Sequence, residues 1–397
     1  MVFAALEQLD NSPAPDHQDG VLTPIGRQRR ETWHTIENSP DPLFHYALYD
    51  NLFAKGRTAQ LLEVDSPYIL PYLQNRGQTS LAHCELLHEH HSRRNSWLAA
   101  AEVLHELALS SFTLPLEKRL EFFSQAKSYC NAHGAPGHRQ QMAELSQTIQ
   151  EELDVAMIQD DLLRRVRDDA RISVEKKHLL EQELGQELIG LSDLFNRFAD
   201  PYQYMDICLS IFLAADYRGT NEIRQCWQTL VSQTHEQALS DPQNPMPFEL
   251  VADKIRTLGR RFAGSEAIFP PADMVPLLEK YAYEQQRDVG PPGWAVAALV
   301  DAGVNQDTIL RVLEDMFWRE ETPFTGAARK RLFNDACATV ESWWQGAMRK
   351  GGAEGFSVEA TQGVLRTMLN ALTNVGREET DRVDRLVADM TRRGVGL

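Results

Sequence analysis

Apolar residues recur along this chain mostly at helical spacing. Ala100, Val103, Leu104, Leu107 and Ala108 fall at i, i+3, i+4, i+7 and i+8, one stripe of an amphipathic helix. Ile309, Val312, Leu313, Met316 and Phe317 repeat the template, and Val383, Leu386, Val387 and Met390 give a shorter version. The last stripe runs into Arg392-Arg393-Gly394. That is a stop signal, because cations suit the carbonyl end of a helix and glycine tolerates a left-handed cap. Ser39-Pro40-Asp41 reads as a start, a capping hydroxyl ahead of a first-turn proline, opening a helix through Phe44, Tyr46, Ala47 and Leu48 to Gly56. Met142, Leu145, Ile149, Leu153 and Ala156 keep a narrow seam that predicts one long helix from about His138 to Asp169. At 1.5 Å per residue such a helix spans about 45 Å.

Strand signals are weak. No run alternates β-branched residues, and Asp19-Gly20 sits in a polar, Pro-rich stretch instead of between two such runs. Gly and Pro punctuate breaks at Asp10–Gly26, Asn131–His138, Ser240–Pro247, Gln286–Gly293 and Gly346–Gly355. Only the first is long enough to read as mobile; the rest match connections between packed helices. The pattern predicts about eighteen helices without a strict tetratricopeptide or armadillo period. A striped helix cannot hide its apolar face alone, so the expected fold class is all-α, an irregular α-solenoid of stacked antiparallel helix pairs. At 397 residues the chain also exceeds the size at which one compact core stops growing.

Composition narrows the partners. A hydrophobic fraction of 43% and a charged fraction of 24% belong to a folded chain. A net charge of −17 repels phosphate backbones, so no nucleic acid is expected as a partner. Arg27, Arg29, Arg30 and Lys176-Lys177-His178 lie among acids without interleaved aromatics, which makes them solvated helix faces. Cys84, Cys130, Cys208, Cys226 and Cys337 are dispersed and odd in number, as in a reducing compartment. The run Met1–Leu6 lacks a basic flank and is too short for a signal peptide or a span, and the expectation is a soluble, intracellular chain.

Chemistry is sparse. Cys84, His88 and His91 stand at i, i+4 and i+7 within His83–His91, which is ligand spacing, yet Ser92 breaks the HExxH pattern and no second Cys/His pair is near. A helix face rich in imidazole is the simpler reading, and no metal or cofactor is expected. Lys350–Gly355 follows a helix and fits neither phosphate-binding glycine motif. Gly264-Ser265-Glu266 reads as a helix-ending turn, not a nucleophile elbow. Glu151-Glu152 and Asp160-Asp161 precede Arg164, Arg165 and Arg167 as a charged helix face. No catalytic residue is named, and the chain reads as not an enzyme. Aromatics concentrate late: Phe269-Pro270-Pro271, Trp294, Trp318 and Trp343-Trp344. Adjacent tryptophans cannot both face one core from one helix. Inter-helix packing is the favoured reading; the functional one is a peptide-binding groove near Phe269, Leu278, Trp294, Trp318 and Trp343.

Several segments together resemble one family. Asp41-Pro42-Leu43-Phe44-His45-Tyr46-Ala47-Leu48-Tyr49-Asp50-Asn51-Leu52 is similar to the "FHxALYxWL" helix of large inner-ring nucleoporins of the 155/170-kilodalton class, and Ser66–Leu73 to their "SPxLxPYL" turn and helix. Ala99–Ala108, Lys118–Ala126, Leu194–Pro201 and Leu258–Gly264 with Phe269-Pro270 continue the resemblance in order, so that it runs from about residue 40 to 345. His90, His91 and Asn51 depart from it, at positions where the family tends to carry aromatics. The resemblance implies a carboxy-terminal α-solenoid fragment of a nuclear pore scaffold at the nuclear envelope. Residues 1–38 would be amino-terminal helices and a mobile loop at the truncated end, and 39–397 the solenoid domain. It further implies docking of a linker nucleoporin peptide of the 98/145-kilodalton FG-repeat class, contacts with other inner-ring nucleoporins, and no direct membrane contact from this fragment. A vesicle-coat adaptor or karyopherin-like carrier is the alternative that striped helix pairs alone leave open.

Overall fold

The computed structural model describes residues 17–18, 21–132, 138–241, 243–285, 290–349, 356–372 and 376–394. Contacts divide the chain into two compact units, Met1–Gly190 and Leu191–Leu397.

The first unit opens with a two-residue antiparallel pair, β1 (His17–Gln18) with β2 (Val21–Leu22). It flanks Asp19-Gly20, where no hairpin is expected from the sequence. Ladders this short build no sheet of their own. Helix α1 (Pro24–Glu37) begins inside the stretch read as a break: Thr23 Oγ1 accepts from Gly26 N–H at 3.0 Å, and Pro24 sits where its missing N–H costs nothing. The mobility expected for Asp10–Gly26 falls largely outside the described residues. Helix α2 (Pro42–Ala54) starts two residues later than Ser39-Pro40 suggests, with Asp41 Oδ1 accepting from Leu43 N–H at 3.0 Å. A carboxylate serves a helix start better than a hydroxyl because it also meets the macrodipole.

Then follow α3 (Thr58–Glu63), α4 (Ile69–Gly77), α5 (Leu81–Arg93), α6 (Trp97–Leu109), α7 (Leu116–Cys130), α8 (Arg139–Asp168) and α9 (Val174–Leu184), each of α5 to α8 packed on its successor. The long helix is α8, at 30 residues. Its seam residues Met142, Ile149 and Ala156 are buried, as are Ala100, Leu104, Leu107 and Ala108 of α6. Ile36 of α1 joins Leu48, Tyr49 and Leu52 of α2 and Tyr72 and Leu73 of α4 in one core cluster. Two side chains tie the later connections down. Arg119, buried in α7, donates to the carbonyls of Ala108, Ser110, Phe112 and Gln186 at 2.6–2.9 Å. Gln159 of α8 donates to Leu184 and Glu187 carbonyls and accepts from Ile189 N–H. Loop carbonyls that would otherwise be buried without partners thus find donors in neighbouring helices.

The second unit begins with α10 (Leu191–Asp193), which passes directly into a π-helical turn, Leu194–Ala199. It continues through α11 (Met205–Ala214), α12 (Thr220–Ser240), α13 (Pro247–Phe262), α14 (Pro271–Gln285), α15 (Trp294–Asp301), α16 (Gln306–Arg319), α17 (Arg329–Arg349), α18 (Val358–Ala371) and α19 (Arg377–Gly394). Successive pairs α12–α13, α16–α17 and α18–α19 pack together, while α13 also packs on α15 and α14 on α16. Those next-but-one contacts stack each hairpin on the one before it, the solenoid arrangement in which every repeat is sheltered by its neighbour. Trp227 anchors the early layers: its indole is buried, meets Phe262 and Phe269 edge-on, and donates to the Ile268 carbonyl at 2.8 Å. Ile309, Leu313 and Phe317 of α16 and Val383, Leu386, Val387 and Met390 of α19 are all buried.

The fold is an irregular all-α solenoid, with nineteen α-helical segments among the described residues. Of the breaks read from sequence, Ser240–Pro247 separates α12 from α13, but α17 runs through Gly346 to Arg349. Residues 133–137, 286–289 and 350–355, within three other breaks, lie outside the described residues. Among the described helices none is long and apolar enough to cross a membrane.

Candidate partner-docking surfaces

The five late positions do not gather into one groove. Phe269, Leu278 and Trp294 are buried core residues. Phe269 packs on Trp227, and Trp294 lies between Phe248 and Tyr281 at 5.8 and 6.0 Å. Gly290 is required beside that indole, because a Cβ there would fall 2.7 Å from Trp294 Nε1. Trp318 is 48% exposed at the end of α16, its ring edge-on to Phe317. Trp343 is half-buried against Phe356, while Trp344 is buried and donates to Asp389 Oδ2 at 2.9 Å. The neighbouring tryptophans thus divide between surface and core, as a single helix demands. Trp318 lies near the turn into α17, and Trp343 is fourteen positions into that helix, about 20 Å along it. Three of the five positions thus hold the interior together, while Trp318 and Trp343 keep exposed surface.

Beneath Trp294 lies a charged interior. Arg331 Nε donates to Glu279 Oε2 at 3.1 Å, and its other end stands 3.5 Å from Asp335 Oδ2. Glu279 is fully buried and Asp335 nearly so, with Glu279 Oε1 and Asp335 Oδ2 making no hydrogen bond. Burial, then the Asp335 charge, pushes the Glu279 carboxyl well above the usual carboxylate range; burial also raises Asp335. Arg331 faces both carboxylates, and the fully buried Glu279 is the one whose carboxyl is pushed furthest toward its neutral form.

The imidazole-rich helix α5 sends its side chains to different neighbours. Cys84 Sγ donates to the Gly77 carbonyl at 2.8 Å, His83 stacks on Phe53, His88 faces Tyr129, and His90 lies edge-on to His91. Among the described residues no three His, Cys, Asp or Glu side chains are grouped to hold a metal. Burial lowers the pKa of His88 and His91, and brings that of His90 to about 4.

An open concavity lies elsewhere in the first unit. Where the end of α7 and the start of α8 diverge, a groove of about 820 Å³ is lined by Lys127, Cys130, Arg139, Met142, Ala143 and Gln150. The lining mixes apolar Cys130, Met142 and Ala143 with the cations Lys127 and Arg139 and the acid Glu151, at a size that takes a few side chains. From sequence, Cys130 is one of five dispersed thiols and Met142 a seam residue of the long helix, and neither marks a groove. A groove made by two helices parting at a connection leaves no periodic signal to read.

Comparison with known proteins gives these surfaces their context. The profile of the family described as "Non-repetitive/WGA-negative nucleoporin C-terminal" matches residues 1–380. A probable nucleoporin of Schizosaccharomyces pombe is 38% identical over 82% of this chain and 25% of its own length. Nucleoporin NUP170 of Chaetomium thermophilum is 30% identical over 91% of this chain and 28% of its own length. The chain thus spans about a quarter of these relatives. The crystal structure of the Chaetomium thermophilum Nup170 CTD–Nup145N complex superposes with a TM-score of 0.87 at 30% identity, covering 98% of this chain and 78% of that one. With stripes, stacked hairpins, sequence and fold in agreement, the chain belongs to the non-repetitive/WGA-negative nucleoporin C-terminal family and carries the carboxy-terminal α-solenoid of the 155/170-kilodalton class.

Proposed function

We propose that this chain is a scaffold segment of the inner ring of the nuclear pore complex and that its solenoid docks a linear segment of a linker nucleoporin of the 98/145-kilodalton class. The observation that carries the reading is the fold match, over nearly the whole chain, to a Nup170 CTD solved together with Nup145N. A stacked-helix surface suits that role. It offers no extended sheet edge, so a partner segment must lie in grooves between helices and anchor there by side chains. The reading gives the chain a structural role, with no catalytic step, and places it at the nuclear envelope without a membrane contact of its own. Contacts with other inner-ring nucleoporins belong to the same proposal. Family membership points away from the coat-adaptor and carrier readings.

Of the five late positions, Trp318 and Trp343 retain exposed surface for a partner. The α7–α8 groove around Cys130 and Met142 is the second place where a side chain of a linear segment fits. Isothermal titration of the whole chain with fragments of a linker nucleoporin tests the reading. Saturable binding is expected, weakened at least tenfold by Trp318→Ala, Trp343→Ala or Met142→Glu according to the face used. Absence of saturable binding to any fragment overturns the docking role. Binding that none of the three variants alters moves the site elsewhere on the solenoid.

A further inference from the structure

Paired arginines stand three and two positions ahead of a hydroxyl at two places, Arg29-Arg30-Glu31-Thr32 and Arg93-Arg94-Asn95-Ser96. Basophilic serine/threonine kinases select this spacing, because carboxylates in their substrate groove take the guanidiniums while the hydroxyl reaches the γ-phosphate. The structure separates the two copies. Thr32 lies inside α1, and its Oγ1 donates to the Gln28 carbonyl at 2.8 Å. Delivering it to a kinase cleft would mean unwinding the middle of a helix. Ser96 lies in the short connection between α5 and α6 and is exposed. Its backbone is non-helical (φ −86°, ψ 65°), Asn95 before it is left-handed at φ 56°, and the Ser96 hydroxyl makes no capping bond.

The two arginines are held only lightly. Arg93 pairs with Glu89 at 2.7 Å, both side chains more than 40% exposed. An exposed i,i+4 pair of this kind is exchanged for another carboxylate at little cost. Arg94 donates to the Val64 carbonyl at 3.2 Å, a single bond that a stronger anionic partner can replace.

We propose that Ser96 is a phosphorylation site for a basophilic serine kinase. ATP is the co-reactant: the bond from Ser96 Oγ to the γ-phosphorus forms, and the γ-phosphorus–bridging oxygen bond breaks. ADP leaves with that electron pair, and the hydroxyl proton passes to the kinase's base. The product brings a charge of about −1.5 to −2 beside Arg93 and Arg94, neutralising the positive charge of the α5–α6 turn. This turn is remote in sequence from Trp318 and Trp343, and the inference stands independently of the docking proposal.

The test uses the folded full chain, ATP and the catalytic subunit of cyclic-AMP-dependent protein kinase, with sites mapped by tandem mass spectrometry. Phosphate is expected on Ser96 and not on Thr32, and the Arg93→Ala/Arg94→Ala double variant should slow incorporation at least tenfold. Ser96→Ala should abolish incorporation with an unchanged circular dichroism spectrum, since no bond of that hydroxyl caps α6. An unmodified Ser96 in the folded chain overturns the proposal, all the more clearly if a peptide spanning residues 89–100 is phosphorylated by the same enzyme. Equal rates for wild type and the double variant overturn it too.

Discussion

The two units bury polar groups by different chemistry. In the first, Arg119 and Gln159 donate to loop carbonyls, and the buried imidazoles of His83 and His90 have their pKa lowered by desolvation. In the second, charged side chains answer one another: Glu279 and Asp335 around Arg331, Asp206 with Lys254 at 2.8 Å, Glu341 with Arg382 at 2.8 Å. The difference follows from how the helices are joined. The first unit has irregular connections at 108–115 and 184–190 that carry unpaired carbonyls into the packing, and a buried donor is what such carbonyls need. The second presents helix faces directly to other helix faces, where side chains meet side chains. One consequence is that falling pH should loosen the first unit, and pH rising above the ordinary carboxylate range the second.

The largest expected effect tests the carbonyl clamp. Arg119→Met keeps the apolar stem and leaves four carbonyls without their donor, a loss of about 3–5 kcal/mol. Hydrogen exchange with mass spectrometry should show protection falling across α6, α7 and residues 184–190 while the second unit keeps its protection. Equal loss in both units would show that the clamp is not local. Next comes acid. His90 is 4% exposed and its folded pKa of about 4 lies below the unfolded value near 6.5, so the folded state binds fewer protons. Its contribution is fully present above about pH 6.5 and is lost as pH falls toward 4, about 3 kcal/mol in all. His90→Leu should flatten that dependence in urea titrations between pH 7 and 4.5; an unchanged slope would mean that carboxylates elsewhere set the acid limit.

The second unit responds with the opposite sign. Glu279 is raised in the folded state, so the folded chain holds an extra proton above the ordinary carboxylate range. Stability should therefore decline as pH rises through that window, by at most about 1.4 kcal/mol per pH unit for one proton. Glu279→Gln retains the shape and an acceptor for Arg331 while removing the titration. Urea midpoints that fall as pH rises above the ordinary carboxylate range in wild type and stay level in the variant are the expected result. Parallel curves would assign the proton to another group.

Much of this architecture is legible in the apolar spacing. The stripes of α6, α16 and α19 bury as their periods require, and the seam from Met142 to Ala156 marks α8 almost to its ends. Helix starts are less secure, because Ser39 and Asp41 both look like caps and only the backbone decides between them. Docking surfaces are hardest, for a physical reason. Burial of an aromatic depends on what packs over it, and nothing at Trp294 or Trp318 itself distinguishes the core indole from the exposed one. The clamp by Arg119 is equally silent in sequence, since its partners are backbone carbonyls up to 67 positions away.

Trp318→Ala is the smallest perturbation to the fold and the sharpest probe of the contrast between core and surface aromatics. Nearly half of the side chain is open, and its inner edge rests on Phe317, which is fully buried. Removing the indole should change stability by no more than about 0.5 kcal/mol, the range for surface substitutions. Trp227→Ala, by contrast, strips a buried ring and leaves the Ile268 carbonyl without its indole donor, so a loss of about 3–5 kcal/mol is expected. An exposed aromatic that contributes almost nothing to folding is free to serve a partner, whereas Trp227 has no such freedom. Parallel denaturation and linker-peptide titrations of the two variants separate these roles. If Trp318→Ala proved as destabilising as Trp227→Ala, its ring would be part of the packing, and the case for docking at α16 would fall with it.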